Sequence, residues 1–137
     1  MASADYVHLD IPCWSKHGEE LRKKIDEFIN YTDEAGKGKE SDTAPKYVDL
    51  LGAAVDLMKY ALHTVETGII LLMKSVYYDA VTHYILPALD REPRNSDLAA
   101  IIRAAMKTIR RIDNQDPDDI LMNDLDVLLK LCDNYSS

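Results

Sequence analysis

The sequence has few of the residues from which cross-linked or secreted domains are built. Its 137 residues include two cysteines, Cys13 and Cys132, near opposite ends. Two distant cysteines form no disulfide framework and are typical of a reducing compartment. Because the two ends of an up-and-down bundle can meet, a single disulfide between Cys13 and Cys132 is the alternative. No basic start leads into an apolar segment, so no secretory signal is expected. We therefore expect the protein in the cytoplasm or within an assembled particle.

Long apolar runs are also missing. The most apolar stretch, Thr67 to Met73, is only seven residues long and is bracketed by Glu66 and Lys74. A membrane-spanning helix needs about 20 apolar residues, so we expect no span. The stretch is apolar on more than one helical face, which predicts either a central core position or a surface that meets another protein.

Basic residues are in the minority. The chain carries 16 Lys and Arg against 24 Asp and Glu, a formal net charge of −8. The mean field of such a protein repels nucleic-acid phosphates and anionic lipids. A nucleic-acid contact is possible but not favoured.

Apolar residues recur at helical spacing along most of the chain, and this pattern predicts an all-α fold. We expect a four-helix-type bundle with one unusually long helix, formed by residues 15–137 as a single domain, preceded by an extended N-terminal arm at residues 1–14. The long helix is predicted from Thr43 to Leu86, where Pro87 should end it. Its apolar residues recur every 3.5 positions, a coiled-coil-like stripe called the seam below. The seam comprises Leu51, Val55, Met58, Leu62, Val65, Ile69, Leu72 and Val76. Gly68 indicates either a kink or the close approach of a second helix.

The N-terminal arm alternates apolar and polar residues, which is the period of an extended strand. It either packs on its own bundle or straps onto a neighbouring subunit. Its candidate interface residues are Tyr6, Val7, Leu9, Ile11 and Trp14.

Catalytic and metal-binding patterns are weak. His63 and Glu66 lie one turn apart, as do Asp79 and His83, but a di-iron bundle needs inward acids on further helices, where this chain has leucine and isoleucine. No nucleophile or phosphate-loop motif occurs. We expect no cofactor, no metal and no enzymatic activity, with these four residues as the alternative metal or catalytic set.

Charge is segregated near the C-terminus. Residues 91–111 hold six basic residues against two acidic ones, whereas residues 112–137 hold seven aspartates against one lysine. Within the predicted helix 96–113, a basic stripe is formed by Arg103, Lys107, Arg110 and Arg111. The stripe is a solvated face, a contact to an acidic patch on another copy, or a nucleic-acid contact.

Tyrosine is abundant, with eight tyrosines against one phenylalanine. Tyr60 and Tyr78 fall off the seam and are predicted either at the rim of the core or at an interface, where tyrosine is enriched. Together with the seam, the arm and the segregated charge, this favours a non-enzymatic protein that self-assembles as a homo-oligomer, for example a virion or particle coat subunit. The alternative is a small regulatory adaptor whose basic helix 96–113 contacts an acidic partner or nucleic acid.

Overall fold

The structure is a computed structural model that describes residues 44–64 and 66–136, together with Lys23, Asp26, Glu27, Phe28 and Asn30. These residues confirm the all-α fold, since all the regular structure among them is helical. The predicted arm, residues 1–14, lies outside the described residues. The elements, in order, are α1 Ala44–Thr64, α2 Thr67–Ala80, a π-helical turn Val81–Ile85, α3 Leu86–Asp90, α4 Ser96–Asp113 and α5 Asp118–Ser136.

The structure differs from the single long helix predicted along the seam, because the helix is divided at Glu66. Glu66 is extended, with φ −97° and ψ 110°. The Thr64 hydroxyl donates to the Ala61 carbonyl at 2.7 Å and accepts from the Glu66 backbone N–H at 3.3 Å. A threonine that bonds back to its own helix in this way competes with the helical ladder. α1 ends at this point, and α2 packs against it.

The helix also continues past Pro87, where the sequence predicts an end. A proline inside an α-helix clashes with the carbonyl four residues earlier, here that of His83. The π-helical turn Val81–Ile85 widens the backbone just before this point, and the Leu86 N–H reaches back to the Val81 carbonyl. Pro87 then lies in the first turn of α3.

Side-chain and backbone caps define the two ends of α4. The Asn95 side chain accepts a hydrogen bond from the Leu98 N–H at 2.8 Å. At the other end, the Asp116 N–H bonds the Arg111 carbonyl at 3.0 Å and the Gln115 N–H bonds the Ile112 carbonyl at 3.1 Å. This pair of bonds is a Schellman motif, with Gln115 at φ 55° in the left-handed position where glycine is usual.

The core lies between α5 and the helices that flank it. α5 packs against both α1 and α4, and its buried face consists of Leu121, Leu125, Leu128 and Cys132. Most of the seam is buried as predicted, but Leu72 is only partly buried and Val65 lies outside the described residues. Phe28, a helical residue that precedes α1 in the chain, is also buried in this core.

Ion pairs attach α5 to the other helices at its polar edges. Lys59 of α1 contacts Asp126 at 2.6 Å, and Lys74 of α2 contacts Asp118 at 2.9 Å. Much of the acidity of the last segment is therefore balanced within the chain. Among the described helices, none is long and apolar enough to cross a membrane.

Candidate protein-interaction surface

Among the residues that the structure describes, three large apolar side chains lie on the solvent side of three different helices. They are Leu71 on α2 at 61% exposure, Val127 on α5 at 55% and Met106 on α4 at 51%. Single exposed apolar residues are common on protein surfaces. Their meaning therefore depends on what surrounds each of them.

Leu71 lies among small and apolar residues, and the ion pair between Lys74 and Asp118 borders them. Thr67, Gly68 and Ser75 are the exposed residues beside it, and Leu72 is half-buried at its edge. These five residues are called the Leu71 surface below. A Cβ atom built on Gly68 would meet no atom within 4 Å, so no second helix of the described chain approaches Gly68 closely. The five residues are themselves uncharged, and the nearest charges are those of the Lys74–Asp118 ion pair at the edge of the surface.

The predicted basic stripe on α4 is divided into two parts. Arg111 Nε donates to Asp124 Oδ2 at 2.7 Å, and Arg111 Nη1 contacts Asp116 at 3.1 Å. Lys107 Nζ lies 3.7 Å from Asp124, whose side chain is only 13% exposed. The hydrogen bonds to Asp124 and Asp116 raise the pKa of Arg111. These two basic residues thus join α4 to α5 within one molecule.

Arg103 and Arg110 form the other part. Both are exposed, and within the part of the chain that the structure describes neither makes an ion pair. Met106 lies between them on the same side of α4. Arg103, Met106 and Arg110 are called the basic face below, and they present two cations and one apolar side chain to solvent.

The remaining predicted interface residues have more local roles or cannot be placed. Tyr60 and Tyr78 are half-buried against the core, as expected for rim tyrosines. Tyr78 donates to Asp113 Oδ2 at 3.2 Å, and this hydrogen bond raises the pKa of Tyr78. Five of the predicted residues lie outside the described residues, namely Tyr6, Val7, Leu9, Ile11 and Trp14.

The alternative metal or catalytic set is spread along the surface. His83 Nε2 lies 4.0 Å from Asp79 Oδ1, and both side chains are exposed. His63 is exposed near the end of α1, and Glu66 follows in the corner between α1 and α2. Over residues 44–64 and 66–136, no group of three or more His, Cys, Asp or Glu side chains could hold a metal ion.

Two buried groups with potential chemistry are shielded from solvent. Cys132 is a free thiol whose pKa is raised to about 12, chiefly by burial and then by Asp133 and Asp49. Such a thiol is almost entirely protonated at neutral pH and therefore unreactive. Tyr77 bonds Thr108 at 2.7 Å in the core, and burial raises the pKa of its phenol.

Sequence reasoning missed the exposed apolar residues that matter most here. Leu71 belongs to a run that is apolar on more than one face, and that run was the available signal. Met106 lies three residues after Arg103 and four before Arg110, so it shares their side of α4. That position was the signal that Met106 lies at the surface. Pairing of Lys107 and Arg111 with Asp124 depends on how α4 and α5 meet and has no signal in the local sequence.

No protein-family model, no curated protein and no solved structure matches the chain.

Proposed function

We propose that this chain is a non-enzymatic helical subunit that works by self-association, such as a building block of a virion or another particle. The observation that carries the proposal is the exposure of Leu71, Met106 and Val127 on three separate helices. A subunit with contact points on several sides can join more than one neighbour.

The energy available from these side chains is moderate. Full burial of a leucine contributes roughly 1.5–3 kcal/mol, so burying the exposed part of Leu71 contributes about 1–2 kcal/mol. Three such residues supply a few kcal/mol before the entropy of association is subtracted. Association of this kind depends on concentration and on the polar contacts around each apolar residue.

Light scattering after size exclusion tests the proposal. We expect a mass above the 15.5 kDa of the single chain that grows with protein concentration. Leu71→Ser should lower this mass, whereas His83→Ser should leave it unchanged, because His83 is exposed but lies outside the Leu71 surface and away from Met106 and Val127. A mass that stays at the single-chain value at every concentration would contradict self-association.

A second candidate is supported by the exposed Arg103 and Arg110. As the basic helix of a small adaptor, α4 would bind an acidic protein or a nucleic acid. This predicts binding to a 20-nucleotide strand or an acidic peptide that weakens steeply with salt. Arg103→Glu should abolish that binding if the second candidate is correct.

A further inference from the structure

An acidic face on α1 matches the basic face on α4. Asp49 and Asp56 are exposed on the solvent side of α1, and the two residues between them on that side, Gly52 and Ala53, are half-buried. A Cβ atom on Gly52 would lie 3.8 Å from Cys132 Cβ, so α5 borders this face, and the α1 side chains between the two aspartates are no larger than the Ala53 methyl group. These four residues are called the acidic face below.

The two faces have the same spacing with opposite charge. Arg103 and Arg110 are seven residues apart, and so are Asp49 and Asp56. Seven residues make two helical turns, about 10.5 Å at 1.5 Å per residue. With each arginine opposite an aspartate, Met106 faces the shallow gap at Gly52 and Ala53. The match holds for parallel and antiparallel helices, because each face has the same charge at both ends.

The two faces do not meet within one molecule. α5 packs against α1 and against α4, and these two helices make few contacts with each other in the described fold. Asp124 and Asp126 of α5 are already paired with Arg111, Lys107 and Lys59. Among the described residues, Arg103 and Arg110 take part in none of these ion pairs and face solvent.

We propose that the basic face of one copy docks on the acidic face of a second copy. This inference rests on the self-association proposed above and identifies the surfaces that produce it. The contact joins two different surfaces, so it is head-to-tail and builds rings or open filaments rather than being limited to one symmetric dimer.

A second copy fits the basic face better than a nucleic acid does. The chain has a net charge of −8, which repels a polyanion at longer range, and α4 contains no aromatic residue on which a base could stack. A second copy offers two carboxylates at the required spacing, and it also leaves room for Met106. The opposed pairs lie at the surface, so their attraction is screened by salt.

Charge reversal on each face tests this contact. The basic-face variant is Arg103→Glu/Arg110→Glu, and the acidic-face variant is Asp49→Arg/Asp56→Arg. Each puts like charges opposite each other, and we expect association measured by sedimentation to weaken about tenfold or more at low salt. The chain that carries all four substitutions restores opposite charges and should associate again. Circular dichroism should show wild-type helicity in every variant.

A matched control separates this contact from a general effect of charge. Arg91→Glu/Lys130→Glu changes the net charge by the same amount as the basic-face variant, at two exposed residues outside both faces. It should associate like the wild type.

Three results would overturn the inference. The first is a basic-face variant that associates as well as the control. The second is a four-substitution chain that stays dissociated, and the third is binding of a 20-nucleotide strand that only the basic-face variant loses. A wild-type chain that never associates refutes the proposed function itself, whereas association insensitive to these charges refutes only this contact.

Discussion

The buried hydrogen bond between Tyr77 and Thr108 predicts which of two substitutions, one at each residue, lowers the free energy of unfolding more. The Thr108 hydroxyl donates to the Ala105 carbonyl at 2.6 Å, and a hydroxyl has a single proton. Tyr77 must therefore be the donor in the 2.7 Å bond between the two side chains. Both residues are buried, so water cannot replace a lost partner.

The two single substitutions should have unequal effects. Tyr77→Phe removes the donor and leaves Thr108 bonded to Ala105, so we expect the free energy of unfolding to fall by about 1 kcal/mol. Thr108→Val preserves the shape but leaves the Tyr77 hydroxyl buried without an acceptor. That substitution should lower the free energy of unfolding by about 2–3 kcal/mol.

The double variant Tyr77→Phe/Thr108→Val should lose only about 1 kcal/mol, because no unpaired polar group is left. Urea unfolding followed by circular dichroism measures all three values. Tyr84→Phe, at a half-buried tyrosine, controls for the loss of a hydroxyl as such. Additive effects, or a larger loss in Tyr77→Phe than in Thr108→Val, would refute the assigned donor.

Three further predictions concern the turn, the core and the dependence on pH. Gln115→Gly should stabilise the protein by about 1 kcal/mol in urea unfolding, since Gln115 holds a left-handed backbone at φ 55°, and a loss of stability would contradict this. Ile69→Ala should cost about 2–4 kcal/mol through the cavity it leaves, whereas the exposed Leu71→Ala should cost less than about 0.5 kcal/mol, and similar losses would show that the burial is misassigned. Burial raises the pKa of Cys132 to about 12 and also raises that of Tyr77, so the folded state holds both protons more tightly than the unfolded state. The contribution of these groups to the free energy of unfolding is complete at neutral pH. It is lost as the pH rises above the unfolded-state pKa, about 8.5 for the thiol and about 10 for the phenol. Each group then lowers the free energy of unfolding by about 1.4 kcal/mol per pH unit. Cys132→Ala should flatten the decline measured between pH 9 and 10, and an unchanged slope would contradict the raised thiol pKa.

Local sequence was sufficient for the fold class and for much of the core. Apolar residues at helical spacing determine which face of each helix is buried, because the hydrophobic effect acts on any face that can be covered. For this reason Leu51, Met58 and Ile69 are buried as the seam predicts. The Asn95 cap was also predictable, since it depends only on the three residues that follow it.

The corner at Glu66 and the passage through Pro87 were decided by tertiary structure. The seam runs through Glu66, so periodicity alone predicts an unbroken helix there, and the steric effect of proline on the residue before it predicts a stop at Pro87. The Thr64 hydroxyl bonds and the π-helical turn are small local distortions, and packing of α2 on α1 repays them. Sequence patterns do not contain that packing energy.

The candidate surface was likewise determined partly by local sequence and partly by tertiary structure. The sequence alone determined that α4 carries a basic stripe, because that follows from residue spacing on one helix. Only the tertiary structure decided that Arg111 and Lys107 are paired with Asp124 while Arg103 and Arg110 face solvent. The physical reason is that an ion pair requires two side chains within a few ångströms, and the distance between two helices is set by how their apolar faces pack.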